Sequence, residues 1–414
     1  MKLALIIDDY LPCSTRVGAK MFHELAIELV SRGHSITVIT PDFGLNKSFE
    51  RSFLDGVEVW RFKSGPIKDV GKIVRAINES LLSLKGWHAI KKHINDNTFD
   101  GVAYYSPSIF WGGLVRRIKK RCQCPSYLVL RDMFPQWVID AGMLHADSFF
   151  AKYFRFFENY SYNQADRIGV MSERNLEVFQ RDRPNMPGEV LRNWASLKPV
   201  ALDERSPSSI RVKLELQGKI IYFYGGNIGH AQDMTNLMRL VRGMQSCSNA
   251  HFLFVGQGDE VMLINKLAHE WSLTNFSYIP SVDQQEFKKI LAEVDVGLFS
   301  LSANHTAHNF PGKLLGYMVQ SLPILGSVNH GNDLLDIVND NDAGFIHVNG
   351  DDSGLLQSAR RLYENDALRI RVGQCSYRLL EEQFSVKSAA DIIEFALEKK
   401  NAPDKTAENA ATIG

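Results

Sequence analysis

Two successive doubly wound α/β domains are what this sequence predicts, and three observations predict them. At 414 residues the chain exceeds what one hydrophobic core usually supports. Short apolar runs of strand length alternate with segments of helical spacing. That alternation stops once, at the polar stretch 196–218, "SLKPVALDERSPSSIRVKLELQG", and then resumes.

Each series can be justified in order. "KLALIID" opens the first as a buried strand, and "DYLPCSTRVG" is the loop that follows it. Met21, Phe22, Leu25, Ala26, Leu29 and Val30 then share one face of a helix over 19–32, with Gly33 as its stop. "SITVIT" is the next strand, completing a strand–loop–helix–strand unit. Further strands are expected at "GVEVWRF", "GVAYYS", "SYLVLRD", "RIGVMS" and "EVLRN". The second series reads "KIIYFYGG", "HFLFVGQG", "FSYIPS", "VGLFSL" and "LPILGS", again with helical spacing between. The expected domains are therefore 1–196 and 197–365, with helices over 366–400 packing back on the first and a disordered tail over 401–414. Ligands of such sheets bind at the carboxyl ends of the strands. The loops to read are 8–18, 104–112, 131–140, 225–233, 256–260 and 303–316, in a cleft between facing domains.

Composition narrows the function. Hydrophobic content of 45% and charged content of 23% are those of a globular protein, and the net charge is zero. Residues 1–200 nevertheless carry 28 Lys/Arg against 21 Asp/Glu, and residues 61–121 carry 13 against 4. Such a surplus suggests an anionic partner. "LLSLKGWHAIKKHI" (81–94), with Leu82, Leu84, Trp87 and Ile90 beside Lys85, Lys91 and Lys92, suits a helix lying on an anionic membrane, and "RRIKKR" (116–121) adds charge. No RNA- or DNA-binding motif accompanies it, so nucleic acid is not expected. Asp8 and Asp9 interrupt the first apolar run, which argues against a signal peptide, and no run reaches a membrane span. Five cysteines without a framework fit a reducing cytosol. The expected location is cytoplasmic, peripheral to the membrane.

Four motifs in order, "YLP…HELAIELVSRGHSITVIT", "YGGNIGHAQDMTNLM", "FVGQGDE" and "PGKLLGYMVQSLPIL", resemble family-4 retaining glycosyltransferases of the GT-B fold over roughly residues 1–400. "LVLRDMFPQWV" resembles the "RDLWP" segment of enzymes that build bacterial O-antigen and capsule saccharides, some of which transfer N-acetylfucosamine-type sugars from UDP donors. The resemblance implies a metal-independent transferase without a cofactor, in which a nucleotide-sugar donor, UDP-linked, binds the second domain. A lipid-linked saccharide acceptor binds the first.

Several family ligands are altered. The usual Gly-Gly after the first strand falls on Arg16-Val17, with Gly18 next; the diphosphate-binding Arg and Lys fall on Asn227 and Gln232. The paired glutamates fall on His308 and Gly316, and the first-domain histidine falls on Arg131. Stabilising the leaving diphosphate needs cations and N–H groups rather than particular side chains. Arg131, Asp132 and Lys313 are thus the expected catalytic residues. Arg16, Gly18, Gly226, Asn227, Gln232, Gly256, Gly258, His308, Pro311 and Gly312 are the expected donor ligands. Lys313 stands where Pro311-Gly312 opens a helix, a position that attracts anions and disfavours a cation unless phosphate lies opposite. His305 and His308 lack a third ligand nearby, and Asp340/Asp342 read as a solvated turn, so no metal is expected. A GT-B-fold nucleotide-sugar epimerase and a non-catalytic nucleotide-sugar-binding subunit are the alternatives.

Overall fold

The structure is a computed structural model that describes residues 1–14, 16–68, 70–106, 108–140, 142–201, 209–303 and 311–398. It divides into two compact units, Met1–Arg192 with the chain from Val386 onward, and Asn193–Ser385.

The first unit runs β1 (Lys2–Ile6), α1 (Val17–Ser31), β2 (Ser35–Asp42), β3 (Phe49–Leu54), β4 (Val57–Lys63), α2 (Lys72–Ser80), α3 (Leu82–Ile90), β5 (Gly101–Ser106), α4 (Gly112–Cys122), β6 (Ser126–Leu130), α5 (Gln136–Asp140), α6 (Phe149–Tyr162), β7 (Arg167–Val170), α7 (Glu173–Asp182) and β8 (Gly188–Val190). Its sheet has the order β3-β4-β2-β1-β5-β6-β7-β8 and is parallel except for β3. β1 and β6 are sealed on both faces, as parallel strands under helices must be. α1 buries Met21, Phe22, Leu25, Ala26 and Leu29, the stripe its spacing predicts, and Gly33 ends it with a φ of +86°.

The second unit runs α8 (Ile210–Lys213), β9 (Ile220–Asn227), α9 (Met234–Gly243), β10 (Ala250–Gln257), α10 (Val261–Glu270), β11 (Phe276–Pro280), α11 (Gln284–Ala292), β12 (Val296–Ser300), α12 (Gly312–Val319), β13 (Ile324–Val328), α13 (Asp333–Asp340), β14 (Gly344–Val348), α14 (Asp352–Glu364) and α15 (Asp366–Gln383). Its six parallel strands have the order β11-β10-β9-β12-β13-β14. The chain progresses outward on both sides of β9/β12, so that pair is the topological switch point where α/β sheets bind ligands.

Several expectations change. The sequence reading has no strand at 49–54, yet β3 pairs antiparallel with β4 through Asp55-Gly56, both at positive φ. An Asp-Gly hairpin turn is the signal that was there to be read. β14 is likewise an addition. The helical stretch 366–400 is two helices with different partners. α15 packs on α12 within the second unit, while α16 (Val386–Glu398) packs on α1 within the first. Arg32 holds α16 through Asp391 (2.6 Å) and Glu394 (2.9 Å), and His34 adds a 2.7 Å bond to Glu394. The expected disordered tail, 401–414, lies outside the described residues.

The segment 81–94 also differs. Leu82 and Ile90 are fully buried in the core, and Trp87 packs against that core beneath the Arg121 guanidinium, 5.1 Å from the ring. Only Leu84 of the expected lipid-facing set is exposed. Lys119 bonds Asp166 at 2.7 Å, and the same carboxylate accepts the Ser126 N–H, so this cation is committed to the fold. No described helix is long and apolar enough to cross a membrane.

Candidate functional site

The carboxyl ends of β9 and β10 and the start of α12 converge in the second unit. β9 and β10 run in register from Ala250↔Ile220 to Gln257↔Asn227, which sets Gly225-Gly226 beside Val255-Gly256. The approach is close enough to require glycine: a Cβ on Gly256 would stand 1.8 Å from the Gly226 carbonyl oxygen, and one on Gly258 2.1 Å from that of Ile228. Gly256 and Gly258 therefore act first in backbone packing. Gly226 is exposed, has a φ of +116°, and faces Lys313, whose Nζ would lie 3.7 Å from a Cβ placed there.

α12 arrives at this position through Tyr317, one turn after Lys313. The Tyr317 hydroxyl donates to the Leu298 carbonyl (3.1 Å) and accepts the Gly225 N–H (3.3 Å), fastening the helix to the strand ends. Lys313 Nζ donates to the Tyr224 hydroxyl at 2.8 Å and sits 3.9 Å from that ring's centroid. Tyr224 in turn donates to the Asn227 carbonyl at 2.5 Å, which pins the loop after β9. Burial pulls the Lys313 ammonium down to a pKa of about 7. Among the described residues, the first turn of α12 carries no acidic side chain and Pro311 makes no side-chain cap, so Gly312 and Lys313 present N–H groups beside the ammonium. The arrangement suits an anion.

Two more of the expected donor ligands, Asn227 and Gln232, lie at the end of β9 and in the turn that follows it. Asn227 is exposed and donates through its side-chain amide to the Gln232 amide oxygen at 2.8 Å, so the two hold one another. Glu260, which no motif reading singled out, accepts the Met234 N–H at 3.1 Å and so occupies the start of α9. That helix start is satisfied internally, whereas among the described residues no side chain caps the start of α12. His305 and His308 lie outside the described residues. Asp342 follows α13 at positive φ, and both it and Asp340 are exposed, as the turn reading expects.

In the first unit, Asp8, Asp9, Tyr10, Ser14, Arg16, Asp42, Arg61 and Lys68 line a cavity of about 310 Å³ at the carboxyl ends of β1, β2 and β4. Arg16 is exposed, stands at the N-cap of α1 and lies 3.5 Å from Asp9. Gly18 follows in the first turn, where a Cβ would stand 3.0 Å from the Tyr105 hydroxyl. Behind the cavity Tyr10 bonds His23 Nδ1 (2.8 Å), and His23 Nε2 bonds Asp55 (2.9 Å), a row whose members are too far apart in the chain for any motif to announce. Arg131 is buried just past β6, donating to the Leu130 and Arg192 carbonyls at 3.2 and 3.1 Å; burial lowers it to about 10, so it stays charged. Burial raises the neighbouring Asp132, with Arg131 opposing.

Two families match this chain in succession: Glycosyltransferase Family 4 over residues 18–195 and Glycosyl transferases group 1 over residues 218–365. The first part of the chain thus matches one glycosyltransferase domain and the second part another, and the fold is GT-B. A probable glycosyltransferase of Pseudomonas aeruginosa, WbjE, is 27% identical to it over 220 residues, 53% of this chain. The match spans about half the length of that relative, 54%. Among solved structures, WaaG, a glycosyltransferase involved in lipopolysaccharide biosynthesis, superposes with a TM-score of 0.60 at 16% identity, covering 94% of this chain and 99% of its own. HepE of Anabaena in complex with UDP and glucose gives 0.64 at 13% identity, covering 96% and 100%. These two likenesses concern the fold. Within this GT-B protein the boundary between the two matched domains, 195 to 218, falls on the polar stretch where the alternation of strands and helices breaks.

Proposed function

We propose that the protein is an active, retaining glycosyltransferase. It takes a sugar from a nucleotide donor, UDP-linked, with an N-acetylfucosamine-type sugar one candidate, and passes it to a lipid-linked saccharide in bacterial surface-polysaccharide synthesis. It works without metal or cofactor at the inner face of the cytoplasmic membrane. The observation that carries this reading is the Lys313 ammonium, held 2.8 Å from Tyr224 beside exposed Gly226, at a helix start that no side chain caps among the described residues. WbjE and HepE, by their descriptions, agree with glycosyl transfer and with UDP.

In the proposed reaction the bond from the anomeric carbon to the diphosphate breaks and negative charge grows on the leaving phosphate. An acceptor hydroxyl oxygen bonds to that carbon on the same face, and the hydroxyl proton passes to the leaving diphosphate. Lys313 and the N–H groups of α12 stabilise that charge without reorganising, because Tyr224 and Tyr317 already hold them in place. Asn227 and Gln232 add neutral hydrogen bonds where the family has cations. Asp132 is assigned to sugar or acceptor hydroxyls, and the buried charge of Arg131 to positioning it. Arg16 and the polar cavity after β1 are assigned to the saccharide.

Thermal unfolding of the protein with UDP-, GDP- and dTDP-sugars tests the reading, followed by transfer of labelled sugar to lipid-linked saccharide. A rise in Tm with a UDP-sugar and label in the lipid fraction are expected. No shift with any nucleotide sugar rejects the donor site. Interconversion of the free donor points to an epimerase, and binding without turnover to a non-catalytic subunit.

A further inference from the structure

The first unit exposes two apolar helix stripes that its core does not use. On α2, Ile73 is 78% and Ile77 57% exposed, and exposed Val74, Leu81 and Leu84 extend the stripe into α3. On α6, Phe149 is 75% and Phe156 64% exposed, with Phe150 exposed beside them. The stripes adjoin. Tyr153 of α6 donates to Ser80, the last residue of α2, at 2.8 Å, and Phe149 stacks on the Tyr153 ring. Scattered apolar residues are ordinary on a protein surface, but two abutting stripes form a contiguous patch that calls for a partner.

Charge says which partner. α3, α4 and the turn Lys91–His93 contain no Asp or Glu. They present exposed His88, Lys92, Arg116, Arg117, Lys120 and Arg121. α4 lies against α3, a Cβ on Gly113 standing 3.1 Å from Ser83, so this basic surface borders the apolar one. Lys152 and Arg155 interleave with the phenylalanines on α6. Of the adjacent carboxylates, Glu79 and Glu158 are engaged by Arg75 and Arg183 at 2.8 Å each, and exposed Asp147 before α6 is outnumbered by the cations around it. Bulky apolar side chains set in a field of cations are the composition of a helix that lies in the headgroup region of an anionic bilayer. A second copy of this chain would bring the same cations against each other.

We propose that α2 and α6 form an insertion surface for an anionic phospholipid bilayer, with the α3–α4 cations contacting headgroup phosphates. This deepens the proposed function, since a lipid-linked acceptor is presented at such a surface, but its physics does not depend on the donor. The insertion surface differs from the sequence expectation. The apolar anchors are Ile73, Ile77, Phe149 and Phe156 rather than Leu82, Trp87 and Ile90, which the core has taken.

The test is co-sedimentation of the full chain with phosphatidylcholine vesicles, with and without phosphatidylglycerol, at low and high salt. Binding is expected on the phosphatidylglycerol vesicles. Ile73→Ser/Ile77→Ser and Phe149→Ser/Phe156→Ser should each lower partitioning by roughly tenfold or more at both salts. Lys92→Gln/Arg116→Gln/Arg117→Gln/Lys120→Gln should lower it by about tenfold or more at low salt, with less loss at high salt. Unfolding temperatures close to the parent's confirm that the variants fold. Hydrogen exchange on the unmodified chain removes any dependence on them: vesicles should protect 73–84 and 149–156. Unchanged partitioning, protection elsewhere, or a dimer that the apolar substitutions split into monomers overturns the proposal. Nucleotide-sugar stabilisation of the same variants separates the two readings: a retained Tm shift with lost vesicle binding upholds both, and vesicle binding without any shift upholds this one alone.

Discussion

Lys313 carries its charge where burial works against it, and that conflict makes its role measurable. With a pKa of about 7, the ligand-free side chain is half protonated near neutrality, and a bound diphosphate raises that value. Affinity for a UDP-sugar, whose phosphates do not titrate in this range, should therefore fall as pH climbs above about 7. Lys313→Arg should flatten this dependence while recovering only part of the affinity, because a planar fork does not reproduce a compact ammonium. Lys313→Ala should weaken the donor about tenfold or more, the loss of a charge-assisted hydrogen bond. Isothermal titration across pH checks all three. For stability the sign is opposite. The folded value is depressed below the ordinary 10.5, so the unfolded chain binds more protons between about 7 and 10.5, and ligand-free stability rises with pH over that window. Lys313→Met should accordingly unfold at or above the parent's temperature at neutral pH while losing the donor. A parallel loss of both properties would mark the lysine as structural.

At the scale of elements, two attachments decide what the sites can do. α12 is fastened to the strand ends by the Tyr317 hydroxyl, which serves the Leu298 carbonyl and the Gly225 N–H together. Tyr317→Phe keeps the packing and leaves both groups short of a partner. It should cost about 1–3 kcal/mol in chemical denaturation and weaken the donor through the displaced Lys313. α16 is fastened to the first unit by Arg32 and His34 on Glu394. Burial raises the Glu394 pKa, but the hydrogen bonds from Arg32 and His34 outweigh it and leave it lowered. The stability this provides is present above the ordinary carboxylate pKa and is lost as pH falls through the folded value. Glu394→Gln should cost about 1 kcal/mol at neutral pH and nothing in strong acid. Urea unfolding at the two pH values reads the difference.

At the scale of the whole molecule, the chain pairs one sheet whose adjacent surface is strongly basic with another whose strand ends gather around a lysine. If Lys313 and the start of α12 neutralise the leaving diphosphate, chelation should leave turnover intact. Activity after exhaustive treatment with a chelator checks this, and strict recovery only on adding Mg²⁺ or Mn²⁺ would contradict it.

Much of the architecture was legible because the signals are local. Buried parallel strands read as apolar runs, α1 shows its stripe, and Gly33 marks its end, so both domains followed from patterning alone. The position of Lys313 at a helix start was legible for the same reason, and a cation there is anomalous wherever the helix lies. What tertiary structure alone decided involves partners far apart in sequence. Tyr224 beneath Lys313, Glu260 on the start of α9, Lys119 on Asp166 and α16 on α1 have no spacing that a sequence displays. The apolar residues of 81–94 show the limit most clearly. Amphipathic spacing says that a helix has an apolar face, but burial against a core and burial in a lipid surface demand the same residues. Only the packed structure shows that Leu82 and Ile90 belong to the first kind, leaving Ile73, Ile77, Phe149, Phe150 and Phe156 outside.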